Sequence, residues 1–226
     1  MPLKIIVTGA TGLAGSEVVR QALIDDRIAK VTALVRRPPS ITHPKLEVVL
    51  HDNYRDYSGL AQLFAANDAC LWCLGISQTQ VDKEEYVRIT YDYVVTAAQA
   101  MLNANPGLTF VFLSGAGADS QEKARTLFAR IKGKAENNLK RLPFKKLYIA
   151  RPGGIIPVHR KENAAFFEKL LIPFYPLLQL VLPQLMISSV ALAKAMLRLA
   201  EQGADKTIVE NMALKKLAGE PRPGAA

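Results

Sequence analysis

The chain has 226 residues, of which 50% are hydrophobic and 22% charged, with a formal net charge of +9. That length buries a sizeable core without staples, and a content of two cysteines excludes a disulfide-bonded scaffold. The apolar fraction excludes a disordered chain.

Met1-Pro2-Leu3-Lys4 runs straight into a strand-like segment, so no targeting peptide is expected and a cytoplasmic protein is the first reading. Leu3–Thr8 is the first of six apolar, β-branched runs. The others are Lys30–Val35, Leu46–His51, Ala69–Leu74, Thr109–Ser114 and Leu147–Ala150. The runs are continuous rather than alternating, as in strands covered on both faces. Segments with helical spacing separate them, such as Val18, Val19, Ala22 and Leu23, and later Tyr91, Val94, Val95 and Ala98. Strand alternating with helix predicts an α/β, doubly wound, mostly parallel sheet of the Rossmann type.

The first strand leads into Thr8-Gly9-Ala10-Thr11-Gly12-Leu13-Ala14-Gly15, with glycines spaced G-x-x-G-x-x-G before a helix that starts near Leu13. Gly9 suits the turn out of the strand, Gly12 a close approach to a diphosphate, and Gly15 helix–strand packing. With Thr11 and Leu13 they form a candidate phosphate loop, aided by the free N–H groups of the helix start. The second strand ends in Leu34-Val35-Arg36-Arg37, where an NAD site places an acid. Arg36 and Arg37 suit a 2′-phosphate, so the expected cofactor is NADP. Asp52, read as ending the third strand, and its neighbour Asn53 are candidates for the adenine amino group. Leu74-Gly75-Ile76, read at the end of the fourth, leaves room for a ribose.

Cys70 and Cys73 form a C-x-x-C on the fourth strand, where residues three apart diverge to opposite faces; neither a redox pair nor a metal site is expected. His43, His51 and His159 show no ligand spacing. Charge then changes along the chain: residues 1–120 carry 10 Lys and Arg against 12 Asp and Glu, and residues 121–226 carry 19 against 8. From Lys123 to Lys161 there are 12 basic residues and one acid, Glu136. This stretch lacks interleaved aromatics and any nucleic-acid motif, so no nucleic-acid partner is expected.

After Arg151-Pro152-Gly153-Gly154 the pattern changes. Leu170–Ile187 is uncharged but holds three prolines, which argues against a spanning helix and for an apolar cap or a contact with a partner or membrane surface. A helix over Val190–Leu199 and a short strand over Thr207–Val209 follow. The expected organisation is an NADP-binding domain over 1–160, a C-terminal cap with final sheet elements over 161–219, and a flexible tail over 220–226.

The glycine loop, with Cys73-Leu74-Gly75, Ser114, Lys132 and Arg151-Pro152-Gly153, resembles atypical short-chain dehydrogenases/reductases, in particular the TIP30-like (HTATIP2-like) and NmrA-like NAD(P)-binding proteins. The likeness spans about residues 1–160. It implies catalytic roles for Ser114 and Lys132, and cofactor contacts for Lys132, Pro152 and Gly153. The family's active members carry a Tyr four residues before the Lys; here that position is Phe128, which has no proton to give. Phe128 and Lys132 share a helix face with Ala124, Leu127, Ile131, Ala135 and Leu139, which suits a core or pocket wall. Tyr86, Tyr91, Tyr93 and a water are candidate substitute donors.

Two main readings follow. One is an NADP(H)-dependent reductase of a small apolar carbonyl or quinone-like substrate. The other is a non-catalytic NADP(H)-sensing protein acting through a protein partner. Peripheral attachment to an anionic membrane through 166–187 is a third.

Overall fold

A computed structural model describes residues 1–159 and 184–220. Among them the chain forms β1 (Leu3–Thr8), α1 (Leu13–Leu23), β2 (Ile28–Val35), β3 (Leu46–Leu50), α2 (Ala61–Ala65), β4 (Ala69–Trp72), α3 (Lys83–Val87), α4 (Tyr93–Ala104) and β5 (Thr109–Leu113). There follow α5 (Leu127–Arg141), β6 (Lys146–Arg151), β7 (Gly154–Ile156), β8 (Met186–Ser188), α6 (Ser189–Glu201), β9 (Ile208–Glu210) and α7 (Asn211–Ala218).

Seven strands make one sheet in the order β3-β2-β1-β4-β5-β6-β9, with every adjacent pair parallel. The chain moves outward from β1 in one direction through β2 and β3, then in the other through β4, β5, β6 and β9. The crevice where that order reverses lies beyond the carboxyl ends of β1 and β4.

Each central strand feeds two cores because successive side chains point to opposite faces. Ile5, Val7, Leu71 and Val111 pack with Val18 and Val19 of α1 and with Leu192 and Met196 of α6. Ile6, Cys70, Trp72, Phe110 and Phe112 pack with Val94 and Met101 of α4 and Leu139 of α5. Burying a Val, Leu or Phe side chain stabilises by roughly 1.5–3 kcal/mol, so these two layers hold the sheet.

The strand ends differ from expectation for local reasons. β4 stops at Trp72, not Leu74, because the N–H groups of Cys73 and Leu74 turn to donate to Thr8 Oγ1 at 3.1 and 3.2 Å. β3 stops at Leu50, which puts Asp52 on the following turn rather than at a strand end. β5 stops at Leu113, one residue before Ser114, while β2 begins at Ile28 and β6 spans one more residue at each end than expected. The last strand runs Ile208–Glu210, one residue later than expected. α6 extends over Ser189–Glu201, capped by Ser188 Oγ, which accepts from the Ala191 N–H at 3.0 Å. α5 begins at Leu127, so Ala124 belongs to the preceding loop and not to the helix face.

A second, two-stranded parallel sheet pairs β7 with β8, an element that the sequence pattern does not predict. Asn211 fastens it: its Oδ1 accepts from the Gly153 N–H at 2.8 Å, and its Nδ2 donates to the carbonyls of Gln184 at 2.8 Å and Met186 at 3.2 Å. Of the uncharged stretch 170–187, residues 170–183 lie outside the described residues, as do 221–226 of the tail. Glu220 is held: its Oε1 accepts from Ser188 Oγ at 3.3 Å and its Oε2 lies 3.5 Å from Lys215 Nζ. No helix among the described residues is long and apolar enough to cross a membrane.

Candidate dinucleotide site

The glycine loop joins β1 to α1 at the crevice. Gly9 takes φ +62°, and a Cβ on it would lie 2.6 Å from the Cys73 carbonyl oxygen, so a side chain is barred twice over. Gly15, inside the first turn of α1, sits against the turn itself: a Cβ there would meet the Gly9 oxygen at 2.2 Å. Gly12 is the N-cap of α1, with extended backbone and no side-chain cap, and its own N–H donates to Gly9 O at 2.8 Å. The helix start thus carries free N–H groups and a positive dipole end toward the crevice, which suits an anion. Thr11 and Leu13 are exposed beside it.

A cleft of about 450 Å³ opens from this loop and is lined by Gly9, Thr11, Val35, Arg36, Arg37, Tyr54 and Leu74. Arg36 and Arg37 are exposed there, and neither forms an ion pair with a carboxylate among the described residues. Tyr54 forms the floor. Its hydroxyl donates to the Leu34 carbonyl at 3.2 Å, its ring stacks on Tyr93 at 5.5 Å, and burial pushes its hydroxyl up to about 12. A Cβ on Gly75 would meet open space, leaving a gap beside Leu74; Ile76 is half-buried. Asp52 and Asn53 are exposed on the turn after β3 and do not line the cleft.

The far end of the same sheet edge gathers Ser114, Lys132, Glu136 and Arg151. Ser114 follows β5 and its hydroxyl donates to Glu136 Oε1 at 2.5 Å. Glu136, one turn after Lys132 on α5, is fully buried. Arg151 grips it bidentately, Nε on Oε1 at 2.9 Å and Nη2 on Oε2, and also reaches Ser120 and Glu210. Lys132 Nζ donates to the Leu113 carbonyl at 2.9 Å and lies 4.8 Å above the Phe112 ring. Burial lowers its ammonium to about 8, against the opposing pull of Glu136 and of Cys73. Pro152 is buried, and its carbonyl accepts from the Ala116 N–H at 2.7 Å. Gly153 packs so that a Cβ would lie 2.0 Å from the Leu185 oxygen.

Phe128 is half-buried in the first turn of α5, and its ring tip covers Gly115, where a Cβ would lie 2.7 Å from Cζ. None of the three candidate tyrosines lines the cleft. Tyr86 is buried, Tyr91 lies beneath Lys134 Nζ at 4.3 Å, and Tyr93 is stacked on Tyr54. The two cysteines are free thiols packed on opposite cores, as their spacing predicts. Burial pushes the Cys73 thiol up to about 12.

Residues 9–156 match the model of a family described as NAD(P)H-binding. The chain belongs to this family. Among curated relatives it is 27% identical to protein HTATIP2 of Rattus norvegicus over 165 residues, covering 71% of this chain and 65% of the rat protein. It is 28% identical to "Protein fmp52-2, mitochondrial" of Neosartorya fischeri over 160 residues, covering 70% of this chain and 69% of that one. The latter name sits apart from a plain cytoplasmic expectation. Among solved structures, Bordetella bronchiseptica WbmF in complex with NAD+ superposes with a TM-score of 0.68 over 96% of this chain and 77% of that one, at 13% identity. That likeness shows the Rossmann-type fold.

The NAD(P)H-binding family match begins at Gly9 of the β1–α1 loop, from which the candidate site opens. Three of its parts escaped the sequence reading. Thr8 looked like an ordinary strand residue, although its hydroxyl draws the β4 end toward the loop. Tyr54 carries no motif: it stands between Asn53 and Arg55 in a polar stretch, with no apolar pattern to mark it as buried. The Ser114–Glu136–Arg151 cluster joins residues 15 and 22 apart in sequence, which no local pattern reveals.

Proposed function

We propose that the protein binds NADP(H) and acts as an oxidoreductase on a small apolar carbonyl or quinone-like substrate. The observation that carries this reading is the pair Arg36 and Arg37 beside Gly9 and Thr11 in a cleft with no lining acid among the described residues. A carboxylate there would repel a 2′-phosphate, whereas two guanidinium groups hold it by charge-assisted bonds. The glycine turn and the uncapped start of α1 suit the diphosphate. In this reading Lys132 would hold ribose hydroxyls, and Ser114 would meet the substrate oxygen. A bound nicotinamide would supply the hydride.

The test is a titration of purified protein with NADPH and NADH. NADPH is expected to bind tighter by about 10–100-fold, the worth of one strong charge-assisted bond of roughly 1.5–3 kcal/mol. Arg36→Asp should abolish that preference. Equal affinities in the wild type would remove the reading.

Phe128 favours a second reading, in which NADP(H) is a sensing or structural ligand and the protein acts through a protein partner. A panel of quinones and aldehydes with NADPH separates the two: turnover by the wild type excludes the non-catalytic form. Contact with an anionic membrane surface through 166–187 is a further proposal, which liposome flotation decides.

A further inference from the structure

The hydroxyl proton of Ser114 already has an owner. A carboxylate only accepts hydrogen bonds, and the bidentate grip of Arg151 marks Glu136 as ionised. Glu136 Oε1 therefore takes both the Arg151 Nε–H and the Ser114 O–H. What Ser114 has left for a ligand is lone pairs. Phe128, at the position where a tyrosine would donate, offers only a ring edge against Gly115. The neutral hydroxyl donors that would greet a carbonyl oxygen are thus both missing, one by substitution and one by commitment to a buried acid.

From this we infer that Ser114 meets its ligand as a hydrogen-bond acceptor, so that of an alcohol/carbonyl pair the hydroxyl-bearing member is the tighter ligand. Glu136 is the positioning residue: buried on α5 and fixed by β6, it sets the direction of the Ser114 hydroxyl from behind. The ligand class is a small apolar alcohol or hydroquinone whose O–H points at Ser114 Oγ. The inference rests on the NADP(H) reading above, since the ligand is taken to lie against the bound cofactor.

The experiment measures binding, not turnover. Saturation-transfer NMR is run with cyclohexanol on NADPH-loaded protein and with cyclohexanone on NADP+-loaded protein, pairings in which no reaction proceeds. One neutral hydrogen bond contributes about 0.5–1.5 kcal/mol, so the alcohol should bind up to roughly tenfold tighter. Ser114→Ala keeps the Glu136–Arg151 pair and should weaken the alcohol to the level of the ketone, with the ketone unchanged. Phe128→Tyr restores a donor and should tighten the ketone several-fold. A ketone bound as tightly as the alcohol, a ketone weakened by Ser114→Ala, or no binding of either to cofactor-loaded wild type overturns the inference while leaving the cofactor reading intact. Failure to saturate with NADP(H) takes both down.

Discussion

The Cα of Gly15 rests on the carbonyl oxygen of Gly9, leaving no room for a methyl group between the first turn of α1 and the loop that precedes it. Gly15→Ala must push the helix start away from the loop. The expected cost is about 1–3 kcal/mol of stability, as for other overpacked sites, with at least tenfold weaker NADPH binding. Denaturant melts and a fluorescence titration measure both. An alanine variant that binds NADPH normally would show that the loop tolerates the displacement.

The extra phosphate of NADPH should make its binding more sensitive to salt than that of NADH, because Arg36 and Arg37 are exposed and screened. Raising ionic strength from low to physiological values should narrow the NADPH preference by several-fold. Isothermal titration at two salt concentrations reads this directly, and parallel salt slopes for the two nucleotides would contradict it.

Lys132 supplies a pH dependence. Its folded-state ammonium is lowered by burial to about 8 from the ordinary 10.5. Between those values the unfolded chain binds the proton and the folded one does not, so this group's contribution to stability rises with pH across that window. Below pH 8 the cost of burying the charge is fully present. Lys132→Met should therefore stabilise the protein at pH 7 by about 1–3 kcal/mol, less what the lost bond to Leu113 contributed, and the gain should fade between pH 8 and 10.5. Melting curves across that range check it.

Arg151→Ala leaves Glu136 buried without its cation. Breaking a buried pair in this way typically costs about 3–5 kcal/mol. Chemical denaturation of the variant and the wild type measures it; a loss below about 1 kcal/mol would mean that the pair contributes no more than an exposed one.

Much of this molecule is written in its local patterns. Continuous apolar runs such as Leu3–Thr8 and Thr109–Ser114 announce strands covered on both faces, and the G-x-x-G-x-x-G spacing announces the turn at Gly9. Arg36 and Arg37 could be placed in the cleft because the end of β2 neighbours the loop in any sheet of this order. What stayed hidden depends on tertiary encounters. Thr8 reaches across to the end of β4, Tyr54 returns to bond the Leu34 carbonyl near the end of β2, and Arg151 arrives from β6 to meet Glu136. The β7–β8 pair escaped for another reason: three-residue strands that depend on a distant asparagine have no periodicity to read.

That asparagine has a consequence for how the chain can change over evolutionary time. Asn211 clasps the segments on both flanks of residues 160–183, through Gly153 on one side and Gln184 and Met186 on the other. The two flanks are thereby joined by a residue from a later element, α7. Substitution at positions between the two flanks leaves the atoms of the clasp unchanged, so those positions are free to diverge in sequence while β7 and β8 stay paired.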